Sequence, residues 1–313
     1  MSALPVIGAA SAALPSVVHA TTLQPLTGMG ASLRETAAAA LAECGAVLFR
    51  GFTVPTPLDF KKFAASFGLP LASYEFGSTP RSKVVAGVYS STEYPPHQSI
   101  PLHNEQSYTR RWPSLIWFHC MQPSTTGGET PIADSRLVYQ RIAPDLREEF
   151  TRRELLYVRN YSVALDLPWQ RVFNTDERAQ VERYCEANGI EWEWKPDDEL
   201  RTRQRCQAVL RHPTRGEWVW FNQAHLFHES ANDPSLRASL LAAVGYDNLP
   251  RNVCFGDGSP IADDMLDHIR AAYQRSAVAF AWQAGDVLML DNLLVAHGRN
   301  PFSGERKVIV AMA

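Results

Sequence analysis

Residues 279–313, "AFAWQAGDVLMLDNLLVAHGRNPFSGERKVIVAMA", constrain the fold more than any other part of the chain. Their pattern is typical of strand, turn, strand, loop and strand, because apolar and β-branched runs are separated by Gly, Asn and Pro. Three earlier runs have the same character: "KVVAGVYS", "LIWFHCMQ" and "ELLYVRNYSV". The segment "AVLRHPTRGEWVWFN" predicts a hairpin that turns at residues 214–216. We therefore predict one α+β domain with a two-sheet barrel or sandwich at its centre.

Helical patterns lie early and in the middle of the chain. "SLRETAAAALAEC", with Ser32 or Thr36 as its N-cap, and "LDFKKFAASFG" come first, followed by "DSRLVYQRIAPDLREEF" and "DERAQVERYCEANG". These patterns predict an apolar N-terminal extension at 1–21 and a domain at 22–313 with a helical insertion around 135–205. The first thirty residues contain no Lys or Arg, whereas a secretory leader needs a positive n-region, so a processed leader is the less favoured alternative.

Composition excludes several classes of protein. With 45% hydrophobic residues, the 313-residue chain can bury a sizeable core, and a net charge of −3 argues against electrostatic binding of nucleic acid. Its five cysteines are dispersed and form no CxxC pair, which favours reduced thiols in a cytoplasmic protein. No run of about 18 apolar residues is present, so we expect no membrane span. The sequence leaves the oligomeric state open, and a homo-oligomer is one alternative.

A candidate metal site begins at His103 and Glu105, two positions apart in "PLHNEQSY". An extended backbone would point both side chains to the same face, where an imidazole and a carboxylate can hold one metal ion. His297, after the strand-like "GDVLMLDNLLVA", completes the sequence form of a 2-His-1-carboxylate triad, which leaves positions open on Fe(II). His225 and His228, in "FNQAHLFHES", are the rival pair, but no third partner is evident nearby, and we expect both to be structural or to support the ligands.

Four motifs occur together in one order: "LHNEQSY", "GGETPIADSR", "HP…WFNQAHLFH" and "GDVLMLDNLLVAHGRNPFSGERKVIVAM". With them the chain, from about Thr22 onward, resembles the taurine dioxygenase and clavaminate synthase-like superfamily of Fe(II)/2-oxoglutarate oxygenases. It is most similar to the branch that includes the aspartyl hydroxylase of syringomycin biosynthesis, which carries Glu where taurine dioxygenase carries Asp. The resemblance implies a double-stranded β-helix (jelly roll) core flanked by helices. It also implies Fe(II), 2-oxoglutarate as co-substrate, and O2.

The resemblance also assigns roles to individual residues. It implies His103, Glu105 and His297 as the catalytic iron ligands, Arg306 as the partner of the distal carboxylate of 2-oxoglutarate, and Thr130 as a second contact to that carboxylate. A guanidinium is always charged and can grip a carboxylate bidentately, although a solvated surface arginine is the alternative for Arg306. Glycines 127 and 128 could form a turn without any catalytic role. Because Glu105 fills the carboxylate position, chloride has no vacancy at the iron, and halogenation is not expected.

The implied reaction couples oxidative decarboxylation of 2-oxoglutarate to oxidation of an unactivated C–H bond. Hydroxylation of an amino-acid-derived substrate in natural-product biosynthesis, either free or tethered to a carrier protein, is the simplest form. Two alternatives stay open: the same cofactor chemistry giving desaturation or cyclisation, and a catalytically silent jelly-roll binding protein.

Candidate substrate contacts are residues that lie near the metal motif in the sequence or carry a positive charge. The loop "TEYPPHQSIP" precedes the metal motif, as a lid would, although a plain connection is an equal alternative. "TRRW" and "RTRQR" offer basic patches for an acidic carrier, but "RTRQR" is better explained as the solvated face of a helix. Arg299 or Arg81 could bind the carboxylate of a free amino acid. Asn104, Gln106 and Tyr108 flank the ligands, but in an extended segment they would point away from the metal, so only a bulge in the strand would make them substrate contacts. Asn222 and Arg299 are the other substrate candidates.

Overall fold

The computed structural model describes residues 14–28, 30–72, 81–92 and 94–313. Its α-helices are α1 (Ala31–Cys44), α2 (Pro57–Ala65), α3 (Ser135–Arg141), α4 (Pro144–Arg153), α5 (Trp169–Phe173), α6 (Arg178–Asn188), α7 (Ala224–Phe227), α8 (Pro234–Val244) and α9 (Asp263–Ser276).

The strands come in the order β1 (Ser16–His19), β2 (Ala46–Arg50), β3 (Lys83–Val85), β4 (Val88–Ser90), β5 (Ile100–His103), β6 (Leu115–Gln122), β7 (Thr126–Gly127), β8 (Ile132–Asp134), β9 (Leu155–Tyr161), β10 (Glu191–Trp194), β11 (Leu200–Cys206), β12 (Val209–Arg211), β13 (Trp218–Trp220), β14 (Arg251–Phe255), β15 (Ala277–Val278), β16 (Val287–Asp291), β17 (Val295–Arg299), β18 (Phe302–Ser303) and β19 (Lys307–Met312).

Two sheets form the core of the molecule. The larger has the order β1-β2-β16-β6-β19-β4-β3, and the smaller has the order β15-β8-β17-β5. Successive strands change sheet, since β5 is followed by β6 and β16 by β17. Apolar side chains from both sheets share one buried cluster, in which Leu288 and Leu290 of β16 lie with Ile132 of β8 and Val295 of β17. The predicted α+β fold with a jelly-roll core is confirmed.

The sequence of β16 shows why this strand is apolar on both faces. Leu288 and Leu290 face the space between the sheets, whereas Val287 and Met289 belong to the cluster that helices α1 and α2 cover. Successive side chains of a strand point to opposite faces, so a strand buried on both sides is a continuous apolar run. The run "VLML" is therefore the signature of a central strand.

The middle of the chain differs from the helical insertion that we predicted around 135–205. Strands β9, β10 and β11 of this region form a further sheet with β14, in the order β10-β11-β9-β14, and "RTRQR" lies within β11 rather than on a helix. Buried and outward residues alternate along β11, with Leu200, Thr202 and Gln204 buried between the arginines. Alternation with a period of two residues is a strand signal, so the prediction of a helix for "RTRQR" was wrong. Whether residues 135–205 are an insertion stays a prediction.

Other local predictions were partly right. "DSRLVYQRIAPDLREEF" forms two helices, because α3 ends before Pro144 and α4 begins on that proline, which lacks the N–H that a continuing helix needs. The predicted caps Ser32 and Thr36 lie inside α1, whose N-cap is Gly30. "KVVAGVYS" is a hairpin of β3 and β4 that turns at Gly87, whose φ is +82°. The hairpin of β12 and β13 is confirmed.

Three further features bear on the whole chain. Strand β1 pairs in parallel with β2, so residues 16–19 of the predicted extension belong to the large sheet, while residues 1–13 lie outside the described ranges. The boundary after residue 21 stays a prediction. All five cysteines are free thiols, as expected. Among the described residues, no helix combines the length and the apolar character that crossing a bilayer demands.

Candidate metal and co-substrate site

His103 and His297 lie side by side on neighbouring strands. Strands β5 and β17 are antiparallel, and His297 is the direct register partner of His103, with their ring centroids 4.7 Å apart. A Cβ on Gly298 would lie 2.6 Å from the carbonyl oxygen of Ile100, so only glycine allows the two strands this close approach. The spacing of the two imidazoles therefore depends on the residue that follows His297.

Glu105 lies beside the two histidines, but not because it shares an extended strand with His103, as we predicted. Strand β5 ends at His103, and Glu105 lies in the turn that follows, so a shared extended backbone does not align them. Instead, Asn292 holds the main chain of Glu105 from both sides. Glu105 N donates to Asn292 Oδ1 at 2.8 Å, and Asn292 Nδ2 donates to Glu105 O at 3.0 Å and to Pro113 O at 2.8 Å.

The three side chains form a compact donor set. One ligand atom of each lies within 4.8 Å of the others, and Glu105 Oε2 is 3.8 Å from His297 Nε2. His103 Nδ1 lies 2.8 Å from the carbonyl oxygen of Pro101, which can only accept, so Nδ1 carries the proton and Nε2 keeps its lone pair. His297 Nδ1 has no hydrogen-bond partner among the described residues.

The protonation states suit a divalent metal. Burial lowers the pKa of His103, although Glu105 opposes that shift, and burial together with neighbouring His103 and Arg81 holds the pKa of His297 well below its usual range. Two neutral imidazoles and one carboxylate are the ligands that a 2-His-1-carboxylate site requires. The residues present therefore fit the metal that the sequence resemblance implied.

Arg81 is an unexpected member of the site. Its Nη2 donates to Glu105 Oε2 at 2.7 Å, and both side chains are almost fully buried. A buried carboxylate is costly unless it is paired, so Arg81 compensates the charge of Glu105 and fixes its orientation. The sequence suggests Arg81 only as a substrate contact, and nothing in its local sequence marks it as a partner for Glu105.

A second group of possible ligands, His228, Glu229 and Asp263, lies elsewhere in the described chain. Arg237 donates to both carboxylates of this group, and the side chain of Asp263 is 46% exposed. His228 Nδ1 accepts from Ser230 N at 3.2 Å. Because these groups already satisfy one another in an ion-pair network, this cluster is explained without a metal.

Arg306 and Thr130 line the same pocket as His103 and His297. Arg306 Nε donates to the carbonyl oxygen of Gly128 at 2.9 Å, so the glycine turn positions the guanidinium, and Nη1 lies 3.5 Å from Ser91 Oγ. Burial and the nearby Arg299 lower the pKa of Arg306 to about 10, which leaves it charged at neutral pH. Thr130 Oγ1 accepts from Trp282 Nε1 at 3.1 Å, so its own proton remains available to a carboxylate.

Comparison with known proteins identifies the family of the chain. The family described as "Taurine catabolism dioxygenase TauD, TfdA family" matches residues 14–312. The chain belongs to this family. Its members are Fe(II)- and 2-oxoglutarate-dependent dioxygenases, and this TauD/TfdA enzyme is one of them.

Individual relatives span most of the TauD/TfdA chain. It is 43% identical over 272 residues to the dapdiamide synthesis protein DdaC of Enterobacter agglomerans, covering 87% of this chain and 83% of the relative. It is 35% identical over 284 residues to a clavaminate synthase-like protein of Arabidopsis thaliana, covering 87% and 82%. A crystal structure of a taurine dioxygenase from Burkholderia xenovorans shares the fold, with a TM-score of 0.52, 18% identity, and coverage of 95% and 86%.

Arg299 lines the pocket of the TauD/TfdA enzyme, but its guanidinium is already engaged. Nη1 donates to Tyr94 O at 3.0 Å, and Nη2 donates to Pro95 O at 2.7 Å and Gln98 O at 2.9 Å. Among the described residues, only Nε of this side chain has no partner. Arg299 therefore ties the proline-rich loop to the strand that carries His297.

Replacing Arg299 by alanine is expected to release that loop. Three hydrogen bonds from a charged donor are lost at once, so hydrogen exchange in residues 94–100 should rise by at least about tenfold. Exchange measured by mass spectrometry on peptides from this loop checks the effect. The control is Arg211→Ala, which removes a hydrogen bond to Gly216 in a different hairpin. Unchanged exchange in the loop of Arg299→Ala would show that the arginine does not hold it.

The other four substrate candidates do not line this pocket. Asn104 is fully buried and donates to Asn292 O at 2.6 Å, and Asn222 donates to Ala208 O at 2.7 Å. Tyr108 packs its ring against Phe227, 4.9 Å between centroids, and Gln106 lies in the turn with a φ of +54°. The roles of these residues in substrate binding stay predictions, and their observed contacts are structural. The rivals His225 and His228 likewise lie outside the pocket.

Asn292, like Arg81, contacts Glu105 without having been identified from the sequence. A buried polar residue directly after the apolar run "DVLMLD" was the available signal. We expect Asn292→Ala to weaken Fe(II) binding about tenfold, because groups that orient metal ligands typically contribute 10–100-fold to affinity. Anaerobic competition with a chelator measures this change.

Asn160→Ala is the matched control for Asn292→Ala. Asn160 is also buried and donates to two carbonyl oxygens, those of Asp247 and Leu249, but it lies on β9. If both variants bind Fe(II) equally well, Asn292 does not position Glu105 for the metal.

Proposed function

We propose that this TauD/TfdA enzyme hydroxylates an unactivated C–H bond of an amino-acid-derived substrate in natural-product biosynthesis. The observation that carries the proposal is the convergence of His103, Glu105 and His297 on one pocket that also holds Arg306. In the balanced reaction, O2, 2-oxoglutarate and the substrate give succinate, CO2 and an alcohol. One oxygen atom enters succinate and the other enters the substrate.

Each residue has a defined task in this proposal. His103, Glu105 and His297 hold Fe(II), which when bound supplies the redox chemistry that couples O2 to the two oxidations. The guanidinium of Arg306 and the hydroxyl of Thr130 bind and orient the distal carboxylate of 2-oxoglutarate. The apolar walls of the pocket, which include Ile100, Phe118 and Val308, exclude water from the reacting centre.

Two observations support the substrate class. The motifs of the chain are most similar to a branch that contains an aspartyl hydroxylase, and a relative with 43% identity is a protein of dapdiamide synthesis. Both belong to pathways that build small natural products. Glu105 occupies the position that chloride would need, which favours oxygen insertion over halogenation.

The surface charges bear on whether the substrate is tethered. Arg201 and Arg203 lie 3.4 Å and 3.2 Å from the carboxylate of Glu193, so much of the positive charge of "RTRQR" is neutralised. Arg110 and Arg111 are exposed and follow the metal-binding turn. An acidic carrier would therefore meet the enzyme at Arg110 and Arg111 rather than at β11.

The discriminating assay offers one panel of amino acids both free and loaded on a phosphopantetheinyl carrier protein. We expect succinate formation coupled to a product that is heavier by one oxygen atom. Turnover of loaded substrate should fall in the Arg110→Glu, Arg111→Glu double variant if a carrier docks there, with Arg203→Glu as the control. Efficient turnover of a free amino acid alone would rule out the tethered form.

The same assay separates the alternatives. Desaturation or cyclisation couples succinate to a product that has lost two hydrogen atoms. A silent binding protein would form no succinate with any substrate, and that result would overturn the proposed function.

A further inference from the structure

Strand β5, which ends on the proposed metal ligand His103, is an edge strand of the smaller sheet in the described part of the chain. The sheet order is β15-β8-β17-β5, so β17 pairs with one side of β5 only. An edge strand leaves main-chain groups on its outer side without a ladder partner. Leu102 and Asn104, on either side of His103, are buried, so their carbonyl groups need partners within the protein.

Two side chains of one short segment supply those partners. Gln223 Nε2 donates to the carbonyl oxygen of Asn104 at 2.8 Å, and His225 Nε2 lies 2.9 Å from the carbonyl oxygen of Leu102. Gln223 is the N-cap residue of α7, and His225 is the second residue of that helix. The start of α7 therefore holds the main chain immediately before and immediately after His103.

His225 is fixed in the orientation that this contact needs. Burial lowers the pKa of His225 to about 3, so the ring is neutral and carries one proton at physiological pH. The carbonyl oxygen of Leu102 can only accept, so that proton is on Nε2. The ring of Tyr273 stacks on the ring of His225, with centroids 4.5 Å apart, and the guanidinium of Arg270 donates to the main-chain oxygen of His225. Helix α9 thus holds both the ring and the main chain of His225.

Gln223 is held on its other side and belongs to a larger network. Its main-chain N donates to Tyr157 Oη at 2.8 Å, and the residue is only 4% exposed. Asn104, whose carbonyl group Gln223 holds, donates through Nδ2 to the main-chain oxygen of Asn292 at 2.6 Å. Because Asn292 also holds Glu105, the hydrogen bonds behind the two neighbouring ligands are connected.

We propose that Gln223 and His225 are positioning residues of the metal site, which fix the main chain on both sides of His103 before a metal ion binds. Without these contacts the end of β5 would shift relative to β17, and His103 Nε2 would no longer be held next to His297. Neither Gln223 nor His225 lines the metal pocket, so both act through His103. This role presupposes the proposed ligand set of His103, Glu105 and His297.

The test measures Co(II) binding by the full-length protein through anaerobic competition with a chelator, without catalytic turnover. Gln223→Met keeps the length of the side chain but removes the donor. It should weaken Co(II) binding about tenfold, the lower end of the range for groups that orient metal ligands. The visible absorption bands of bound Co(II) should also change, because they report the ligand geometry.

Gln204→Met is the matched control for Gln223→Met. Gln204 is also buried and donates to a main-chain oxygen, that of Asn188 at 2.9 Å, but it lies on β11. Both variants should lower the midpoint of thermal unfolding, because each leaves a buried carbonyl group without its donor. Only Gln223→Met should change the affinity for Co(II) and the Co(II) spectrum.

Two variants of His225 provide an independent test, which also serves if Gln223→Met does not fold. His225→Leu removes the donor and should weaken Co(II) binding as Gln223→Met does. His225→Gln places an amide N–H near the position of the imidazole Nε2 and should restore most of the affinity.

Co(II) binding by Gln223→Met and His225→Leu that equals that of the unmodified enzyme would overturn the proposed role. An equal loss in His225→Gln and His225→Leu would also overturn it, because the donor would then be irrelevant. His297→Ala separates these results from a failure of the ligand set. If this variant binds Co(II) as tightly as the unmodified enzyme, the proposed metal site itself is wrong, and the role of α7 falls with it.

Discussion

Replacing His297 by alanine is expected to weaken Fe(II) binding by at least about 100-fold and to reduce iron-dependent succinate formation to background. The substitution removes one of three proposed ligands, and loss of a group that merely orients a ligand already costs 10–100-fold. Anaerobic chelator competition measures the affinity, and succinate formation under saturating iron and 2-oxoglutarate measures the activity.

His19→Ala is the control for this variant, because His19 is an exposed histidine on β1, outside the metal pocket. It should retain full metal affinity. Circular dichroism and thermal unfolding establish that His297→Ala remains folded. A folded His297→Ala protein that binds Fe(II) as tightly as the unmodified enzyme would contradict the proposed ligand set.

Replacing Arg306 by alanine is expected to raise the KM for 2-oxoglutarate by about 10–100-fold while iron affinity stays near that of the unmodified enzyme. A charge-assisted hydrogen bond contributes about 1.5–3 kcal/mol, and about 1.4 kcal/mol corresponds to a factor of ten. Arg306 lines the pocket from the position just before β19, and its Nε donates to the carbonyl oxygen of Gly128 rather than to a carboxylate of the described residues.

Two further variants sharpen this test. Lys307→Ala removes an exposed cation from the first position of β19, directly after Arg306, and should leave the KM unchanged. Arg306→Lys keeps the charge but loses the bidentate geometry, so it should lie between alanine and the unmodified enzyme. An unchanged KM in Arg306→Ala would remove this residue from 2-oxoglutarate binding.

The strands of the core could be predicted because their signal is local. The run at 287–290 supplies side chains to two separate apolar clusters, and composition alone identifies such a strand. The helix predicted for "RTRQR" was wrong because two local signals competed there. The arginines favour a helix, whereas the alternation of buried Leu200, Thr202 and Gln204 with outward residues is typical of a strand.

The surroundings of Glu105 could not be predicted from local sequence. Asn292, 187 positions away in the chain, holds the main chain of Glu105. Arg81 precedes Glu105 in the chain and pairs with the Glu105 carboxylate. Neither Asn292 nor Arg81 belongs to a sequence motif with Glu105. Their contacts with Glu105 therefore become evident only in the folded structure. Arg299 illustrates the same limit, since its charge suggested substrate binding while its two terminal nitrogens hold the loop at 94–98.

A crystal structure of the enzyme with Mn(II) and N-oxalylglycine tests the central claim most directly. Anomalous scattering should show one metal ion with ligand atoms of His103, Glu105 and His297 at about 2.0–2.3 Å, the range of comparable nitrogen and oxygen ligands. The distal carboxylate of N-oxalylglycine should contact Arg306. A metal ion bound instead at His228, Glu229 and Asp263, or a His297 side chain that does not contact the metal, would contradict the account.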